Sequence, residues 1–222
     1  MATSTLLIPS EKLISPLSWG SRQSIKTMLE RILYNYGTFI TFASENSKLP
    51  KSVIASFIAV ESGGNSKAGA SGHITQGLMQ WNRTYAKANL ETEYAEKRLT
   101  PAEIQKLASF GIKFTNGKTR AITNADQLKP ELNILIGSII LGQLADEKWA
   151  TDSNGSLRLD RMIAVYNAGA YGDTGKKARF GEHNTPYDLA KAVNPTTSGY
   201  ISKILGKDGA MDILTSDLAS KV

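Results

Sequence analysis

Apolar residues recur at helical spacing through most of this chain. Between residues 22 and 46, Ile25, Met28, Leu29, Ile32, Leu33, Tyr36, Phe39 and Ile40 repeat on one face, which predicts an amphipathic helix. A second helix opens at Pro50, where Val53, Ile54, Phe57, Ile58 and Val60 are dense enough to bury it nearly all round. It carries Glu61 to its C-terminal end, and Ser62-Gly63-Gly64 stops it. Residues 65–82 are rich in Gly, Ser and Asn and read as loop. Helical patterns resume over 83–99, over 100–111 behind the cap Thr100-Pro101-Ala102-Glu103, over 130–149 and over 157–168. Pro186 and Pro195 open two more short helices. Asn116-Gly117 between short runs predicts one small β-hairpin at 112–122. The fold class is therefore mainly α with a single hairpin. Along the chain we expect an N-terminal extension with its amphipathic helix at 1–49, a main domain at 50–206 and a C-terminal tail helix at 207–222.

Composition narrows the function less than the pattern does. The chain is 41% hydrophobic and 21% charged, ordinary for a globular protein. A formal net charge of +6 suits an anionic partner without choosing one. There is no cysteine, so disulfides and thiolate chemistry are excluded. No window of about 18 apolar residues exists, so no membrane span is expected. His73 and His183 are the only histidines, neither with a partner at ligand spacing, and we expect no metal and no cofactor. Neither a phosphate-cradling Gly-x-x-x-x-Gly-Lys nor a Gly-x-Ser-x-Gly elbow occurs, although a Ser-His-Asp triad stays open on sequence alone. Lys176, Lys177 and Arg179 form the densest basic cluster. It reads as a solvated loop, and no nucleic-acid partner is expected.

Three segments carry polar chemistry on this frame. Glu61-Ser62-Gly63-Gly64-Asn65 puts one carboxyl at the end of an apolar helix. Desolvation among residues such as Phe57 and Met79 would raise its pKa and suit it to donate a proton; the plain alternative is a solvated helix-end glutamate, the commoner state of an isolated Glu. In Gly77-Leu78-Met79-Gln80, Gln80 offers a donor and an acceptor to a sugar and Met79 a flexible apolar surface. The alternative is a loop entering a helix with a core Met. In Ala164-Val165-Tyr166-Asn167-Ala168-Gly169, small residues let a ligand approach while Tyr166 and Asn167 bond it, or the segment is a core helix capped by glycine.

In this order the segments resemble the Slt-type lytic transglycosylases, whose fold is similar to goose-type lysozyme. Asn133-Ile134-Leu135-Ile136-Gly137 and Tyr200-Ile201-Ser202-Lys203-Ile204-Leu205 fill that family's remaining blocks, so the resemblance spans residues 50–206. It implies a lysozyme-like, two-lobed helical domain with a cleft that holds peptidoglycan glycan strands. It also implies that Glu61 is the sole catalytic acid and base. Glu61 would protonate the oxygen between N-acetylmuramic acid and N-acetylglucosamine, then take the proton of the C6 hydroxyl as that oxygen closes on C1 to give a 1,6-anhydro sugar. The 2-acetamido carbonyl would assist, an exception to the two-carboxylate rule. Ser71, Met79, Gln80, Tyr166, Asn167 and Tyr200 would bind substrate.

Three departures stand against the family pattern. Gly69-Ala70-Ser71-Gly72 is separated from Gly77 by His73-Ile74-Thr75-Gln76, which leaves Ser66 or Ser71 for the substrate-side serine. Thr196 stands where the family often has an acid four before its tyrosine. Residues 84–130 exceed the minimal plan and would form one wall of the cleft or a docking surface. Residues 1–26 lack a signal-peptide pattern, since Leu6-Leu7-Ile8 stops at Pro9. A bacteriophage origin then follows as an expectation: a virion-associated protein acting in the bacterial periplasm or wall, with other virion or tail proteins as further partners. Rival readings are a hydrolytic muramidase using Asp173 as second carboxylate, and a non-catalytic virion or tail component that kept the fold.

Overall fold

The computed structural model describes residues 12–69 and 73–222; the Leu6-Leu7-Ile8 stretch and Ser71 lie outside the described residues. Eleven α-helices follow one another: α1 Arg22–Ser47, α2 Lys51–Ser62, α3 Arg83–Ala95, α4 Pro101–Ser109, α5 Asn124–Gln127, α6 Pro130–Asp146, α7 Leu159–Ala168, α8 Asp173–Phe180, α9 Pro186–Ala192, α10 Pro195–Leu205 and α11 Ala210–Ser216. The mainly α class read from the periodicity is the class found. Caps agree with the sequence signals. Thr100 and Glu103 bond each other's backbone in a reciprocal box at the start of α4, and Asn194 accepts from the Thr197 N–H ahead of Pro195. Among the described residues no helix is long and apolar enough to cross a membrane.

The expected hairpin shrinks to its turn. Asn116 and Gly117 have φ of 51° and 75°, the left-handed pair that a tight two-residue turn needs, and Thr115 and Lys118 exchange both backbone hydrogen bonds at 2.8 and 3.0 Å. The pairing goes no further: the Thr119 N–H, which points away from the opposite strand in such a pair, donates to the Glu91 carboxylate at 3.0 Å. Arg120 then bonds the carbonyls of Phe110 and Gly111 and the Asp126 carboxylate.

The chain divides into two compact units. One is continuous, residues 31–143. Its core includes Ile32, Ile40, Val53, Phe57, Leu90, Leu107 and Ile136, all fully buried. The other is discontinuous and joins residues 12–30 to residues 144–222. Within it α7 packs against α8, α9 and α10, and α10 against α9 and α11. Residues 207–222, expected as a tail, lie inside this unit, with Ile213, Leu214 and Leu218 buried. Arg22 ties the start of α1 to them, donating to Asp208 and Asp212 at 2.7 Å and to Asp217 at 2.8 Å. A backbone pairing adds to this, Lys207 N–H to the Leu13 carbonyl and Ser15 N–H to the Lys207 carbonyl.

Candidate active site

Glu61 stands one residue from the end of α2, half-buried, after eight consecutive buried residues from Ser52 to Ala59. A helix so wrapped in core cannot shift without disturbing its neighbours, so it delivers the carboxyl to a fixed place. The turn beyond is pinned as well. Gly63 adopts the left-handed conformation and returns its N–H to the Ala59 carbonyl at 3.0 Å. Arg31 and Tyr36, both on α1, donate to the carbonyls of Gly63 and Gly64 at 3.0 and 3.1 Å. A Cβ on Gly64 would lie 2.7 Å from the Ile32 side chain, so α1 passes where only glycine fits.

The segment from Ile74 to Asn82 is organised by two buried amides. Asn133, fully buried near the start of α6, accepts from the Met79 N–H at 2.7 Å and donates to the carbonyls of Gln76 and Gln127 at 3.1 and 2.8 Å. Its own carbonyl accepts from the Trp81 indole at 2.9 Å. Gln127, also fully buried, donates to the carbonyls of Ile74 and Trp81. Gly77, with φ of 84°, passes so close that a Cβ would meet the Gln127 carbonyl at 2.2 Å. The Gly77 N–H donates to the Ala68 carbonyl at 2.9 Å, which fastens this turn to the segment following Glu61.

The site residues expected from sequence fare differently within this unit. Met79 is 0% exposed, and its sulfur would lie 2.4 Å from a Cβ on Gly137 of α6. Its side chain packs in the core, where α6 presents a glycine notch and the thioether fills it. Gln80 is half-buried with φ of 47°. Its Nε2 donates to the carbonyls of Gly77 and Ala68 at 2.7 and 3.1 Å. Both amide donors are thus turned onto the loop. Ser66 is half-buried, while Ser71 lies outside the described residues.

The remaining candidates belong to the discontinuous unit. Tyr166 and Asn167 are half-buried in the last turn of α7, ahead of Gly169 with φ of 77°. The Asn167 oxygen accepts from the Thr197 hydroxyl at 2.8 Å, which fixes the rotamer and turns the Nδ2 donors outward from that bond. Tyr200, one turn on in α10, is 7% exposed and is part of the packing of that helix. A bidentate buried ion pair, Arg158 to Asp160, holds the start of α7, and Arg158 also donates to the His183 carbonyl at 2.7 Å. Asp173 is exposed in the first turn of α8. Among the described residues no group of three His, Cys, Asp or Glu is placed to hold a metal ion.

Residues 38–188 match the family described as the transglycosylase SLT domain. The chain belongs to that family. The matched stretch takes in both the acid-bearing end of α2 and the Gly77-Leu78-Met79-Gln80 turn. Among solved structures the SLT chain is similar to an inactive mutant of the lytic transglycosylase Slt from Pseudomonas aeruginosa, with 17% identity and a TM-score of 0.55. The likeness covers 84% of this chain and 24% of that one, so this SLT chain spans about a quarter of that enzyme's length. At this identity the likeness shows the fold. No curated protein matches the chain.

Sequence reasoning missed the residues that hold the site together. Gln127 lies in the stretch read as an insertion, and nothing in its local pattern marks it. Asn133 was legible as a block residue but not as the amide that carries three backbone groups of the turn. The signal was there: a lone amide at the entry to an otherwise apolar helix needs partners when buried.

Proposed function

We propose that this SLT domain cleaves the β-1,4 bond between N-acetylmuramic acid and N-acetylglucosamine in peptidoglycan, with Glu61 as the one acid and base and a 1,6-anhydro sugar as product. The observation that carries the reading is the placement of Glu61: a half-buried carboxyl at the end of a fully packed helix, its turn clamped by α1 and tied through Ala68 to the Gly77 turn. The carboxylic acid protonates the bridging oxygen as the bond to C1 breaks. The neighbouring acetamido oxygen shares the charge that develops at C1. Glu61, now ionised, removes the C6 hydroxyl proton while that oxygen bonds to C1, so the acid is regenerated and no water is consumed. Ring closure inside one sugar gains from orientation alone. The Gln80 oxygen and the Asn167 amide donors are the groups we assign to the N-acetyl sugars.

The related Slt is an inactive mutant in which a glutamate is replaced by glutamine. The same change here is the test. Glu61→Gln keeps the shape and removes the titrating proton, and it is expected to lower release of anhydro-muropeptides from purified walls by about a thousandfold, with the folded state retained. Products are read by mass spectrometry, where an anhydro end is one water lighter than a reducing end. Reducing ends from the wild type would establish the hydrolytic muramidase instead, and equal release by wild type and Glu61→Gln would remove Glu61 from the mechanism. Carriage of the protein in a bacteriophage particle belongs to the same proposal, and immunodetection in purified particles is its check.

A further inference from the structure

The surface around α8 is not used by this mechanism. There the Arg179 guanidinium carbon lies 4.6 Å from the centroid of the Phe180 ring and 5.9 Å from those of Trp149 and Tyr171. Tyr171 is 82% exposed and Phe180 69% exposed. Large rings left open beside a cation are a contact surface, because each covers much apolar area when a ligand arrives. The half-buried Arg179 donates from Nη1 to the Ala170 carbonyl at 3.2 Å, and its Nε is buried without a hydrogen-bond partner. The terminal nitrogens of its guanidinium therefore retain donors suited to a carboxylate. Lys176 and Lys177 are exposed on the same helix, against Asp173 alone as an anion within it.

A ligand for this surface is anionic and partly apolar. The N-acetylated glycan is neutral where its lactyl groups are amide-bonded to peptide, whereas the short peptides so attached carry free carboxylates and aliphatic side chains. Tyr171 follows Tyr166 and Asn167 directly across the Gly169 turn, so a peptide borne by a muramyl unit held at those tips has little distance to cover. We propose that Arg179, with Tyr171 and Phe180, binds a carboxylate of the stem peptide while the rings cover its aliphatic part. The inference rests on the peptidoglycan reading above and adds a peptide-recognising site to it.

Wall glycan with its stem peptides, and the same glycan stripped of peptide by an amidase with the freed lactyl carboxylates capped as amides, separate the two claims. For the wild type, KM is expected to be lower on the peptide-bearing strands. Arg179→Gln is expected to raise KM on them about tenfold, a loss in keeping with one charge-assisted pair, and to abolish the difference between the two substrates. Tyr171→Ala, at an exposed position where folding is not at stake, is expected to reduce the same difference, and Arg179→Lys to restore part of it. No change in the KM ratio, or an equal rise on both substrates, would overturn the peptide site. Failure of wild type to form anhydro ends on either substrate would instead sink the transglycosylase reading. In that case direct binding of a soluble muropeptide to wild type and Arg179→Gln still decides the site: equal affinities, or tighter binding of a single-stranded oligonucleotide, overturn it.

Discussion

Asn133 shows how one side chain can set the geometry of a whole turn. It serves the Met79 N–H and the carbonyls of Gln76 and Gln127, all from a fully buried position. Asn133→Ala would strand one buried donor and two acceptors, and chemical denaturation is expected to report a loss of about 3 kcal/mol. Loss of lytic activity should accompany it even under conditions where the protein remains folded, because Gly77 and Gln80 lose their frame. At this scale the sequence was legible for Glu61, whose apolar run and glycine stop announce a helix end. It was not legible for Met79 and Gln80. A methionine or glutamine type says what a group offers, but the direction of the side chain depends on partners far along the chain, here Gly137 for one and Ala68 for the other.

Helices with a dense apolar pattern were read from the sequence; those without one were not. α2 and α6 are buried on nearly every face, and their apolar runs declare it. α8 is composed of Asp173, Thr174, Gly175, Lys176, Lys177, Ala178, Arg179 and Phe180, with Gly175 and Ala178 its buried positions, so no periodicity marks it. The hairpin is shorter than its pattern for a different reason: a strong turn signal fixes the turn and its first pair, while the residues beyond it find side-chain partners elsewhere, Thr119 at Glu91 and Arg120 at Asp126. Glu91 gives a pH test of the link between α3 and the turn. The Lys87 ammonium and then the Thr119 N–H, with Lys118 adding to them, hold its carboxyl at about 2, down from 4.5. A lowered carboxylate stabilises the fold above its unfolded value, and that contribution fades as pH falls from about 4.5 through about 2. Glu91→Gln is therefore expected to melt below wild type at neutral pH and to match it near pH 2. A gap of constant size across that range would show that shape, not charge, matters at this position.

At the scale of the molecule, the two units differ in how the chain builds them. Local pattern cannot reveal this: residues 12–30 look like the start of a linear arrangement, yet Arg22 and Leu13 find their partners at Asp208, Asp212, Asp217 and Lys207. The continuous unit, with Glu61 and its turn, needs no residue beyond 143, whereas the discontinuous one needs both ends of the sequence. A ribosome therefore exposes every part of the Glu61-bearing core while the later helices of the other unit are still in the exit tunnel or untranslated, and residues 12–30 must wait for their complement. Stalled nascent chains of increasing length should gain protease resistance within 31–143 first, and cleavage near Arg22 should stop only after residue 217 has left the exit tunnel. Synthesis would then finish the acid's setting before it finishes the unit that carries Tyr166 and Asn167, so the enzyme would stay inert until its last segment is made.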